Sequence, residues 1–197
     1  MNILRVYPFL PPKRGGMEKH VLRLTQLQRL QGHDVVVAFN SGEATSIADI
    51  KVLSGIKLEH VKPQFIRDIL FYFSLCLILF KRKANFDAIH LHGDWSAFLF
   101  VCVIAYICSA KVVCCSIHGK VGGGYAKKFV YDKVLSRFDF VYCTGLAEYN
   151  FLKKDVKTKT DLYWQPSGID PVFSEQKLQN LDFECYDIVN VGSLLAV

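Results

Sequence analysis

The feature that most constrains this chain is an alternation. Short apolar or β-branched runs recur along it, each followed by a segment with helical apolar spacing. NILRVY (2–7) and DVVVAF (34–39) read as buried parallel strands, rich in apolar residues on both faces. Between them Met17, Val21, Leu24, Leu27 and Leu30 recur at helical spacing, and the glycine of QGH (31–33) supplies the stop. That is one strand–loop–helix–strand unit of βαβ size.

The alternation continues. KLEHV (57–61) is expected to be a short strand, followed by an apolar helix over 66–82. FDAIHLH (86–92), KVVCCSIH (111–118), FDFVYC (138–143) and TDLYWQP (160–166) read as further strands. WSAFLFVCVIAYIC (95–108), YAKKFVYDKVLSRF (125–138) and LAEYNFLKKD (146–155) read as the helices between them. Strands alternating with helices imply an α/β fold, a Rossmann-like doubly wound parallel sheet with helices on both faces. Ligands of such sheets gather beyond the carboxyl ends of the strands. PPKRGG, HLHGD, SIHGKVGGG, CTGLAE and PSGID all fall at those ends.

The 197 residues suffice for one substantial core, and a composition 51% hydrophobic and 21% charged is globular. A formal charge of +6, in scattered small clusters, suits phosphate-bearing ligands or an anionic membrane surface. There is no basic stripe interleaved with aromatics, so no nucleic-acid partner is expected. The seven cysteines include no CxxC pair, and PPKRGG interrupts any apolar run that could serve as a signal peptide. Reduced, buried cysteines in a cytoplasmic protein follow, with no metal site. Residues 69–80 and 96–110 are apolar but shorter than the roughly 20 residues that span a bilayer. They suit helices buried against a sheet. Lys81, Arg82 and Lys83 beside the first also suit a helix resting peripherally on anionic lipid.

Candidate site residues follow from this layout. Gly15 and Gly16 stand just before the first helix, whose N-terminal N–H groups attract phosphate, and glycine lets backbone approach an anion closely. The same pair also serves as a tight strand-to-helix turn. Glu18, in the first turn, reads as a capping carboxylate. His90 and His92 share one face of a strand; His90 reads as a core or supporting histidine, while His92, followed by Gly93 and Asp94, stands at the strand end. His118, before Lys120 and the glycine loop 122–124, reads as the catalytic candidate: it can donate to a sugar hydroxyl or phosphate or shuttle a proton, or else cap a turn.

Taken in order, PPKRGGMEKHVLRLTQLQRLQGHDVVV, FDAIHLHGDWSAF, CSIHGK, FDFVYCTGLAEYNFL and QPSGIDPVF resemble the N-terminal domain of GT-B glycosyltransferases of family 4. VNVGSLL resembles the strand that opens the C-terminal domain of those enzymes. The resemblance implies an acceptor-side domain over residues 1–175, with 176–197 as linker and first strand of a shortened second domain. It implies retaining transfer of a hexose from a nucleotide-diphosphate sugar to a lipid-linked or polysaccharide acceptor, without a metal cofactor. Gly15 and Gly16 would then meet the donor phosphate, with Arg14 and Lys120 lining the cleft. His118 would contact the transferred sugar, and His92 and Asp94 would lie on the acceptor side. Ser167 and Thr144-Gly145 depart from the family's usual asparagine and serine. The resemblance places the basic pair and paired carboxylates for the nucleotide on the second domain, so this chain alone is expected to transfer little. A non-catalytic glycan- or partner-binding domain, or one half of a two-chain enzyme, is the alternative.

Overall fold

Seven strands assemble side by side into one parallel sheet in the order β3-β2-β1-β4-β5-β6-β7. The structure is a computed structural model, and it describes residues 1–10, 16–41, 51–53, 58, 60–93, 95–117, 131–155 and 160–165. In chain order the elements are β1 (Asn2–Val6), α1 (Gly16–Leu30), β2 (Asp34–Ala38), β3 (Lys51–Val52), α2 (Gln64–Arg82) and β4 (Ala88–Gly93). There follow α3 (Trp95–Cys108), β5 (Val112–Ile117), β6 (Phe140–Cys143), α4 (Leu146–Asp155) and β7 (Asp161–Trp164). All described residues lie in one compact unit, Met1–Ser167.

The sheet is doubly wound, as the alternation predicts. From β1 the chain moves outward through β2 to β3, then returns through α2 to place β4 on the other side of β1. The direction of winding reverses between β1 and β4, which opens a crevice at the carboxyl ends of those two strands. The register fixes what faces it, since Arg5 pairs with His90 and Val6 with Leu91.

Side chains alternate across the sheet and sort into two unlike faces. On one, Leu4, Val6, Ala38, Ile89, Leu91, Val113, Cys115, Val141 and Cys143 join Phe71, Tyr72, Leu75 and Leu79 of α2 and Val101, Ile104 and Cys108 of α3 in the main core. On the other, α1 contributes Val21 and Leu22 to a small cluster with Leu10 and Val37, and Ile3, Val35 and Ala88 form another. α1 stops where predicted, because Gly32 takes the left-handed φ of 85° that glycine adopts without strain.

Two expectations need correction. The described residues of KLEHV (58, 60 and 61) are not in a strand: the edge strand is the two-residue Lys51–Val52, paired with Val36 and Val37 of β2. The Leu58 N–H is spent on the Asn40 side-chain oxygen at 2.9 Å rather than on a ladder, and His60 stands in a turn. The expected helix over 125–138 is helical at residues 131–134 and tightens into a 3-10 turn over Leu135–Arg137; residues 125–130 lie outside the described part.

The six described cysteines are free and mostly buried or partly buried: Cys76, Cys108, Cys115 and Cys143 lie in the core, while Cys102 is exposed on α3. Burial pushes the Cys76 and Cys108 thiols up to about 11 and that of Cys143 to about 12. The apolar helix α2 is buried along only one stripe. Ile66, Leu70, Phe73, Leu77 and Phe80, at helical spacing, face outward. No described helix is long and apolar enough to cross a membrane.

Candidate functional site

The crevice between β1 and β4 is built from three short stretches. Tyr7 follows β1, Gly16 opens α1 with Glu18 and His20 in its first turns, and His92 and Gly93 end β4. Gly93 has φ 143°, a backbone that L side chains rarely adopt, so the departure from β4 demands a glycine there. Gly16 differs. Apart from its chain neighbours and its own helix backbone, no described atom lies within 4 Å of the place its Cβ would take, and its φ is not in the left-handed range, so neither packing nor backbone among the described residues requires glycine there. The mouth of α1 is therefore open to an approaching group.

An aromatic stack floors the crevice. His90 and His92 stack with ring centroids 4.1 Å apart, while Tyr7 and His20 meet His92 edge-on at 6.3 and 6.1 Å. His92 is fully buried, and His90, nearly so, shares a hydrogen bond of 2.8 Å with the Ser116 hydroxyl. His90 thus occupies the supporting position read from its place one turn of the strand before His92. Glu18, in the first turn of α1, is buried beside Tyr7, and its Oε2 has no hydrogen-bond partner among the described residues. Burial, then the neighbouring Glu18 carboxylate, hold the Tyr7 phenol well above its ordinary value. His20 is shifted the other way: burial first, then the charges of Arg5 and Arg23, lower it.

Further along the same face, a cavity of about 240 Å³ lies between α1 and strands β4 to β6. His20, Gln28, His90, Cys114, Ser116 and Tyr142 line it. Behind its wall sits Arg5, with no exposed surface. The Arg5 guanidinium donates to Thr25 Oγ1 at 2.7 Å and to Gln28 Oε1. Thr25 in turn donates to the Val21 carbonyl within α1, at 2.8 Å.

Of the residues singled out in the sequence, Gly16 opens α1, and His92 near the end of β4 is buried against His20 of that helix. Arg14, Gly15, Asp94, His118 and Lys120 lie outside the described residues, as do residues 176–197. Among the described residues no cluster of three or more His, Cys, Asp or Glu side chains is arranged to hold a metal ion. Sequence reasoning missed Arg5, Tyr7 and the burial of Glu18. The signal for Arg5 was available, because Thr25 and Gln28 interrupt the apolar stripe of α1 on its inward side.

A family model described as Glycosyltransferase Family 4 matches residues 14–173. Among solved structures, a glycosyltransferase from Rickettsia africae ESF-5 superposes with a TM-score of 0.62 at 16% identity. That match covers 88% of this chain and 45% of the Rickettsia chain, so this chain spans less than half of that relative. A sucrose-phosphate synthase chain from Thermosynechococcus elongatus superposes with a TM-score of 0.57 at 15% identity, covering 85% of this chain and 90% of the other. At these identities both likenesses show the fold. No curated protein sequence matches the chain significantly.

Proposed function

The chain belongs to glycosyltransferase family 4, and from that premise we propose that it forms the acceptor-side half of an enzyme moving a hexose from a nucleotide-diphosphate sugar, with retention, to a lipid-linked or polysaccharide acceptor. The observation that carries this reading is Gly16. It opens α1 at the reversal point of the sheet, with free space where a Cβ would stand. The N-terminus of a 15-residue helix carries unpaired N–H groups and about half a positive charge, which favour a phosphate.

In this reading Gly15 and Gly16 meet the donor diphosphate, and Arg14 and Lys120 add positive charge beside it. His118 contacts the transferred sugar, while His92 and Asp94 belong to the acceptor side. Charge developing on the departing diphosphate is met by the helix terminus and by basic side chains, with no metal ion required. The nucleotide and most of the diphosphate call for groups that a second domain supplies, so transfer by residues 1–197 alone is expected to be weak or absent.

The outer stripe of α2 supports a lipid-linked acceptor in particular. Phe73 is 54% and Phe80 70% exposed, and the stripe ends at the exposed Lys81, Arg82 and Lys83. An apolar stripe with a basic end suits a helix lying in the surface of an anionic cytoplasmic leaflet.

The test is sugar transfer from UDP- and GDP-sugars to a membrane lipid extract, presented in anionic or in neutral vesicles. It is run with this chain and with one extended through any reading frame that follows. Transfer by the extended chain, stronger on anionic vesicles, is the expected result. In that chain Gly16→Ala should lower transfer at least tenfold while leaving thermal stability unchanged or slightly raised, because alanine is the better helix former. Full activity in Gly16→Ala would remove the glycine from the donor site. Absence of transfer from both chains would favour a non-catalytic glycan-binding role.

A further inference from the structure

Arg5 is a buried cation, its fractional exposure 0%, with no acid paired to it among the described residues. Among the described residues its hydrogen-bond acceptors are the neutral oxygens of Thr25 and Gln28, and its buried Nε meets no acceptor. Burial lowers the guanidinium only to about 10, so it remains charged at neutral pH. An isolated buried charge is costly unless something compensates it. A purely structural clamp between β1 and α1 needs only the two hydrogen bonds, and these a neutral side chain can make.

The surroundings are built on the side where compensation could come. Gln28, which accepts from Arg5, lines the cavity of about 240 Å³, as do His20 and Cys114, both close enough to feel the guanidinium's charge. Cys114 does not supply the missing charge: burial pushes its thiol up to about 12 despite the nearby guanidinium, so it stays neutral. Across the cavity stand His90, hydrogen-bonded to Ser116, and Tyr142. The volume falls below the roughly 300–1,000 Å³ of pockets for drug-sized ligands, which restricts the occupant to a small one. Described acidic side chains do not line it.

We propose that this cavity is a binding site for a compact oxyanion, a phosphate or carboxylate group, held in the field of Arg5 with contacts from His20, Gln28, His90, Ser116 and Tyr142. The site lies on the sheet face beneath α1, apart from the open mouth at Gly16, and does not depend on the donor reading above. Charge-assisted hydrogen bonds to such a group are roughly twice as strong as neutral ones, and a site screened from water strengthens them. Occupancy also reverses the local electrostatics at His20, which in the empty cavity faces Arg5 and Arg23 and packs against His92.

The experiment titrates the full chain, labelled at histidine Cε1, with inorganic phosphate, acetate or glucose, and reads the ring signals by NMR at constant ionic strength held with chloride. Phosphate is expected to shift the His20 and His90 signals saturably and to raise the pH midpoint of His20. Saturation by phosphate alone assigns a phosphoryl group; saturation by acetate as well assigns carboxylates too. Arg5→Met should weaken binding at least about tenfold, the scale on which one nearby charge acts through a partly desolvated interior. If that variant fails to keep a dispersed amide spectrum, Ser116→Ala and Gln28→Leu serve instead, each expected to weaken the anion by several fold. The proposal is overturned by an absence of saturable shifts with either anion, by equal response to glucose, or by unchanged affinity in the folded variants.

Discussion

The two faces of one sheet do different work. The face under α2 and α3 is a continuous apolar core, from Leu4 and Val6 across to Val141 and Cys143. The face under α1 holds two small apolar clusters and, among them, Arg5, His90, His92 and Ser116, all buried. Apolar burial is non-directional and tolerates many arrangements of similar volume. Buried polar groups are costly unless each finds a partner, so they hold one geometry. The first face therefore supplies stability, and the second fixes buried polar side chains near the carboxyl edge where the winding reverses.

Three substitutions break or sharpen that contrast. The largest effect belongs to the apolar face. Leu75→Ala, at a fully buried position in α2, should cost about 2–5 kcal/mol in a denaturant melt, through lost transfer energy and a residual cavity. A cost near zero would mean that α2 packs loosely against the sheet.

On the polar face the interesting change keeps shape and removes a bond. Thr25→Val leaves the side-chain outline but takes from the Arg5 guanidinium the acceptor now at 2.7 Å. A buried charged donor without a partner should cost about 1–3 kcal/mol. Because Val is isosteric, packing contributes little to that loss, and an unchanged melt would show that Arg5 finds another acceptor at once.

The smallest effect is a pH slope. Burial with Arg5 and Arg23 lowers His20 from its usual 6.5, so below that pH the unfolded chain takes up a proton that the folded chain refuses. Stability should therefore fall as pH drops below about 6.5 and level off once pH passes the folded value. The ring is only half-buried, so the slope should stay well under the single-proton limit of about 1.4 kcal/mol per pH unit. His20→Gln should flatten it, and an equal slope in that variant would assign the titration to other groups.

The same contrast explains what the sequence could disclose. Strand and helix periods made the alternation legible, and β4, α3, β5, β6, α4 and β7 stand within a few residues of their expected limits. Edge strand β3 was not legible, because two residues carry no period, and KLEHV had the composition without the partner. Of the site, Gly16 and His92 could be placed from their positions at the ends of elements. Arg5 left only an indirect trace, the polar Thr25 and Gln28 on the inward side of α1: LRV reads as a strand whichever way the arginine points, and only the packing of α1 on β1 buries it beside Thr25. The burial of Glu18 was not legible either, since a carboxylate in a first helical turn is ordinarily solvated, whereas here it is buried and interacts with Tyr7.

The distribution of the thiols has a practical side. Cys76, Cys108, Cys115 and Cys143 are enclosed and held protonated by their surroundings, so alkylating reagents that require accessible thiolate pass them by. Cys102 stands exposed on α3, the helix packed beside α2, near Val103 and the outward-facing Tyr106. A maleimide dye there places a fluorescent reporter beside the apolar stripe without altering the sheet, and its emission would register anything that settles on that side of the molecule.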